Sequence, residues 1–269
     1  MRKPRAFFVV ITIHLRSKAH FKRAAEVQPQ RLYFGVIETY CKLCNCFYMC
    51  EIFLFGDSIT WGSWDPDHGG WAQLLRQEID RLQLNQSDLW CPLYNLGVPG
   101  DTAAGIAKRI ENEITARHDQ SQEMVVMIAI GINDSMIELP SGRATVQIED
   151  FRYSLALICQ AIKRFQASVY FVGLNPVDES LVNPVPWNPH LAYTAESTAL
   201  FDAELAQFCA ANGYPFISLR KSWMAKQWSS LLHDGLHPNS PGHYDIYELV
   251  RSVVIPHITG ETPPATRHP

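Results

Sequence analysis

The 269-residue sequence has no apolar run of the ~18–20 residues needed to cross a bilayer, so no stable membrane span is expected. It has little net charge: 23 Lys and Arg against 27 Asp and Glu leave −4, which gives no general pull toward nucleic acid. Charged residues are only 19% of the chain against 47% hydrophobic, which excludes a disordered chain and points to a globular one. Cys41 and Cys44 have the spacing of half a zinc site. No second Cys pair or His pair follows at finger spacing, so no metal centre is expected.

What charge there is lies unevenly. Residues 1–48 hold nine Lys and Arg against Glu26 and Glu38, a net +7, which leaves −11 for the rest. The start resembles a signal peptide, but His14 interrupts its apolar run and no small-residue cleavage site follows. Its Arg-rich, acid-poor character also fits an organelle presequence. The expectation adopted is plainer. Residues 1–48 form a basic, Cys-containing extension outside the fold, and Met49 opens directly on the first strand. Residues 49–258 then form one domain, and the Pro- and Thr-rich residues 259–269 form a flexible tail.

Of the seven cysteines, Cys41, Cys44, Cys46 and Cys50 crowd together at the end of the extension. Cys91, Cys159 and Cys209 sit in apolar segments and read as buried free thiols. Such thiols favour a reducing, cytoplasmic location, with secretion or organelle targeting by residues 1–48 left open.

From residue 51 short apolar runs alternate with amphipathic stretches. Strands are expected over Glu51–Phe55, Cys91–Leu96, Met124–Ile130, Ser168–Leu174 and Phe216–Leu219. Helices are expected over Gly70–Leu84, Thr102–Arg117, Arg143–Phe165, Glu196–Ala211 and Pro241–Val254. Pro176–Tyr193 reads as a long loop. The alternation predicts a parallel sheet covered on both faces, with sites at the carboxyl ends of its strands.

Four short motifs fall at those ends. Gly56-Asp57-Ser58 follows the first strand, where Ser58 is either an ordinary helix cap or a nucleophile. Gly97-Val-Pro-Gly100-Asp101-Thr102 follows the second, where a glycine can bring an uncovered N–H to a ligand, although taken alone the motif reads better as a turn into a helix capped by Asp101 or Thr102. Gly131-Ile-Asn133-Asp134 follows the third, and Asn133 offers an uncharged amide donor where turn chemistry is the alternative. His233-Asp234-Gly-Leu-His237 follows the fifth. There Asp234 can orient His237, while a solvated loop or a metal pair with His233 and His243 are the other readings.

Together, in this order, the motifs resemble the SGNH hydrolase superfamily, the GDSL-type lipases and esterases. The resemblance covers about residues 51–255; a minor departure is Ile59, where the family name has Leu, and the main one is the N-terminal extension. It implies a three-layer α/β/α sandwich on a five-stranded, flavodoxin-like parallel sheet. It also implies a serine hydrolase cleaving carboxylic esters of small to medium acyl chains through an acyl-enzyme on Ser58. The triad is then Ser58, Asp234 and His237. Ser58, Gly100 and Asn133 form the oxyanion hole, with Asp57 and Asp134 bracing the turns behind them. No metal or organic cofactor is implied, and the partner is a small-molecule ester. Alternatives with the same site are a carbohydrate O-deacetylase and a lysophospholipase or thioesterase; a non-catalytic binding module is the alternative of another class. Among the tryptophans, Trp71 is expected in the core, with Trp61 or Trp64 lining an acyl or sugar pocket, and His243 and Tyr244 are expected to pack or cap locally.

Overall fold

A computed structural model describes residues 48–86 and 88–260. The readings made for residues 1–47 and 261–269 lie outside them. The described fold begins with strand β1 (Tyr48–Gly56), which takes in Tyr48, one residue before the expected start at Met49; it is buried from Cys50 onward and turns into the short helix α1 (Ser58–Trp61). Helix α2 (Trp71–Asn85) leads to β2 (Leu89–Trp90) and β3 (Leu93–Gly97), then α3 (Ala103–Thr115) and β4 (Glu123–Ala129). Next come β5 (Ile137–Glu138), β6 (Arg143–Ala144), α4 (Ile148–Lys163) and β7 (Ser168–Val172). The chain continues with α5 (Glu179–Val182), β8 (Leu191–Ala192), α6 (Ala195–Asn212), β9 (Phe216–Ile217) and α7 (Leu219–Met224). A 3-10 turn over Trp228–Leu231 and helix α8 (Ser240–Thr259) end the described fold.

The main sheet is parallel throughout. β1 pairs with β2 and β3 on one side and with β4 on the other, followed by β7 and β9. Helix α2 packs on α8, whereas α3 packs on α4 and α4 on α6, giving the α/β/α layering. The apolar run of β4 is buried on both faces, as its central place requires. Its neighbour β1 buries Ile52, Phe53, Leu54 and Phe55 completely.

β2 and β3 form one edge strand in one register. Met49 faces Trp90, Ile52 faces Leu93, and between them Cys50 faces Cys91. The ladder breaks there because Pro92 has no N–H to donate to β1, although its carbonyl still accepts from Ile52 at 2.9 Å. A Cys50–Cys91 disulfide spans the gap, with Cα atoms 4.7 Å apart. This corrects the reading of Cys91 as a free thiol and of Cys50 as part of the leading cluster. A register-matched pair cannot be seen in the sequence, where each cysteine is one more apolar residue. Cys159 and Cys209 are free and buried. The cysteine argument for a reducing compartment therefore does not extend to Cys91, since such bonds persist where conditions are oxidising.

Two further boundaries differ. The helix expected from Arg143 begins at Ile148, because Arg143 and Ala144 pair antiparallel with β5. The expected loop 176–193 contains α5 and β8, and β8 pairs with the other edge of β5. These two-residue strands are too short for any periodicity to announce them.

Candidate active site

The order β3-β1-β4-β7-β9 across the sheet means that the connections reverse direction beside β1, the place where such sheets form a crevice. Gly56-Asp57-Ser58, Gly97–Thr102 and Gly131–Asp134 all leave strands at that end. Asp57, not Ser58, caps α1, its Oδ1 accepting from the Ile59 N–H at 2.9 Å. Ser58 is thus the first helical residue, its own N–H among those a helix leaves unpaired.

His237 reaches this point from the loop before α8. Its Nε2 lies 2.9 Å from Ser58 Oγ, and its Nδ1 lies 2.8 Å from Asp234 Oδ2. The other oxygen of Asp234 accepts from the backbone N–H groups of Leu236 at 3.0 Å and His237 at 2.8 Å. Burial alone would raise the Asp234 pKa, but these bonds and the His237 charge hold it well below the usual carboxylate range. The turn needs Gly235, with φ +88°, because a Cβ there would meet Leu181 at 2.7 Å and the Asp178 carbonyl at 3.0 Å.

Gly100 takes φ +80° with open space where a side chain would stand. Neither its N–H nor that of Ser58 donates to a protein acceptor among the described residues. The Gly100 loop is pinned from behind. Arg109 pairs with Asp101 at 2.8 Å and donates to the Leu96 carbonyl at 2.8 Å, while Asn95 Nδ2 donates to the Thr60 carbonyl at 2.9 Å. Of the two candidate caps for α3, Thr102 is the one used.

Asn133 Nδ2 donates to the Asp101 carbonyl at 2.9 Å, and Asn133 Oδ1 accepts from the Tyr193 hydroxyl at 2.8 Å. Asp134 accepts the Ala103 N–H on both oxygens. Burial pushes Asp57 and Asp134 each up to about 7. Asp134 and Asp57 thus hold backbone N–H groups of two neighbouring turns.

His243 is fully buried. It accepts from the Trp71 N–H at 3.3 Å and donates to the Ser63 carbonyl at 2.8 Å, and burial pushes its pKa down. Tyr244 is exposed and packs against Tyr247. Trp71 is in the core, whereas Trp61 and Trp64 are half-exposed. Trp64 stands edge-on to the His237 ring, centroids 6.1 Å apart, and its backbone N–H donates to the Pro238 carbonyl. Among the described residues no group of three His, Cys, Asp or Glu side chains is arranged to hold a metal ion.

Two site neighbours were not visible in the sequence: Tyr193, and Asn175, whose buried amide donates to the Leu236 carbonyl at 3.0 Å. Tyr193 ends the Pro-rich stretch read as loop and Asn175 immediately precedes it, and only tertiary structure brings them in.

The sequence profile of the GDSL-like lipase/acylhydrolase family matches residues 54–244. The chain belongs to that family. It is accordingly a hydrolase acting on ester bonds. Comparison with curated proteins gave no match. Solved structures similar to this acylhydrolase include a lipase/acylhydrolase from Enterococcus faecalis, at 23% identity and TM-score 0.60, covering 81% of this chain and 100% of that one. An esterase from Pseudoalteromonas sp. aligns at 17% identity and TM-score 0.55, covering 78% and 98%. A variant of an acetyl xylan esterase from Geobacillus stearothermophilus aligns at 16% and TM-score 0.56, covering 82% and 100%. At these identities the likeness is one of fold.

Proposed function

We propose that residues 49–258 form a serine esterase domain that cleaves carboxylic esters of small to medium acyl chains, with Ser58 as nucleophile. The observation that carries this reading is the Ser58–His237–Asp234 chain of contacts at 2.9 and 2.8 Å. His237 Nε2 takes the Ser58 Oγ proton as Oγ attacks the ester carbonyl. The tetrahedral oxyanion is met by the N–H groups of Ser58 and Gly100 and by the Asn133 amide. As the intermediate collapses, His237 returns the proton to the departing alcohol. Water, deprotonated by His237, then releases the acid from the acyl-enzyme. Asp234 holds the imidazole tautomer and offsets its charge, while Asp57 and Asp134 brace the turns. No step requires a metal or an organic cofactor.

A second reading, removal of O-acetyl groups from carbohydrate, draws on Trp64. A half-exposed indole beside the residue that protonates the leaving alcohol is a surface on which a sugar ring can stack. An acetyl xylan esterase also stands among the similar structures.

The test is labelling with a fluorophosphonate, followed by a panel of acyl-chain lengths and acetylated sugars with Ser58→Ala as control. The wild type should label at Ser58 and Ser58→Ala should neither label nor hydrolyse, with its circular dichroism unchanged. A folded wild type that does not label would leave a binding module.

A further inference from the structure

One stretch that the triad does not use touches both halves of the site. Asn175 donates to the Leu236 carbonyl, and the Asp178 N–H donates to the Gly235 carbonyl at 2.7 Å, both beside His237. At the other end of the stretch, Ala192 pairs with Ile137 in the small β6-β5-β8 sheet, four residues after Asn133. The Tyr193 N–H is held by the Val182 carbonyl at 3.0 Å. So anchored, Tyr193 is fully buried and sends its hydroxyl to Asn133 Oδ1 at 2.8 Å.

That contact and one to the Asp101 carbonyl together fix which way the Asn133 amide faces. The Asp101 carbonyl can only accept, so the amide nitrogen must be on its side at 2.9 Å. The amide oxygen then faces Tyr193, and the tyrosine hydroxyl must be the donor. With Oδ1 occupied and one N–H given to Asp101, the second N–H of Asn133 remains for a ligand. Flipping the amide would set its oxygen against the Asp101 carbonyl and its nitrogen against the tyrosine hydroxyl. Burial raises the Tyr193 pKa far above its ordinary value, so the hydroxyl keeps its proton throughout the working range.

We propose that Tyr193 is a positioning residue for ester hydrolysis: its buried hydroxyl locks the Asn133 side-chain amide with an N–H directed to the oxyanion. The inference rests on Asn133 being an oxyanion donor. It adds that the contact on the amide oxygen, the partner of the Asp101 contact on the nitrogen, comes from the segment between β7 and α6.

The experiment is a double-mutant cycle with Tyr193→Phe and Asn133→Ala on a short p-nitrophenyl ester. Rates are expressed per reactive Ser58, titrated to completion with a phosphonate, so that unfolded protein does not count. Tyr193→Phe should lower kcat roughly tenfold with KM nearly unchanged, the loss of one buried hydrogen bond felt in the transition state. In the Asn133→Ala background the same change should cost less than about twofold, because the group it orients is gone. If Tyr193→Phe costs the same factor in both backgrounds, raises KM as much as it lowers kcat, or leaves kcat intact while Asn133→Ala lowers it, the positioning role is overturned. If Asn133→Ala itself leaves kcat intact, the oxyanion reading falls first and the inference with it.

Discussion

Asp134 takes the Ala103 N–H on both carboxylate oxygens, at 3.2 and 3.1 Å. The bond crosses from the turn after β4 to the first turn of α3, and so ties the loop carrying Asn133 to the one carrying Gly100. The distance between those two groups is thereby held by this carboxyl group together with the Asn133 contact to the Asp101 carbonyl.

Asp134→Ala should therefore lower both stability and turnover. The Ala103 N–H would be left buried without its partner, which costs about 1–3 kcal/mol. Asp134→Asn keeps an acceptor and should lose much less of either. Urea unfolding and kcat measured on the two variants check this, and equal losses would argue against the bridge.

Asp234→Asn should fold normally yet lose turnover by about 10⁴-fold, as expected when the triad carboxylate no longer fixes the imidazole tautomer. The comparison to make is kcat/KM with the fluorophosphonate labelling rate. Both should fall, since both need an activated Ser58.

Asp57 gives a pH signature. Its carboxyl is raised from 3.8 to about 7 in the folded protein by burial. The folded state therefore holds a proton that the unfolded chain has released. The stability this contributes is present at low pH and is lost as pH rises toward and through 7. Asp57→Asn retains the oxygen that caps α1 and has nothing to titrate. Its stability relative to wild type should accordingly improve by about 2–3 kcal/mol between pH 5 and pH 8. Thermal or urea unfolding at the two pH values measures the gap, and a constant gap would refute the assignment.

Removing the Cys50–Cys91 bond, which closes a separation of 41 residues, should cost about 2–4 kcal/mol. The paired variant Cys50→Ala with Cys91→Ala, compared by urea unfolding with the oxidised wild type, tests this. Reduction of the wild type should bring the two together.

The sheet, its five long flanking helices and the four site loops could be read from the sequence because each rests on local information. A buried parallel strand is an apolar run such as Met124–Ile130, and an amphipathic helix repeats its apolar residues. The family motifs sit where strands end. What could not be read depends on partners far along the chain. Tyr193 and Asn133 are 60 residues apart and meet through two-residue strands that carry no pattern. Cys50 and Cys91 are recognisable as a pair only once the register of β1 against its neighbour is known. The helix expected from Arg143 starts later for a similar reason: Arg143 and Ala144 pair with β5, whose other edge is held by Leu191 and Ala192 far along the chain.

The disulfide has a consequence that melting curves do not measure. An edge strand has its ladder on one side only, and a slide along β1 by two residues, which preserves the inward and outward sense of every side chain, is opposed beyond the ladder by the Arg109 and Asn95 contacts and by this bond. Such a slip would carry the following turn about 7 Å along the sheet, away from Ser58. With Cys50 joined to Cys91, the strand that ends just before Gly100 has a fixed phase. In the reduced protein that phase rests on the ladder and the Arg109 and Asn95 contacts alone, so activity is expected to fall before structure is lost.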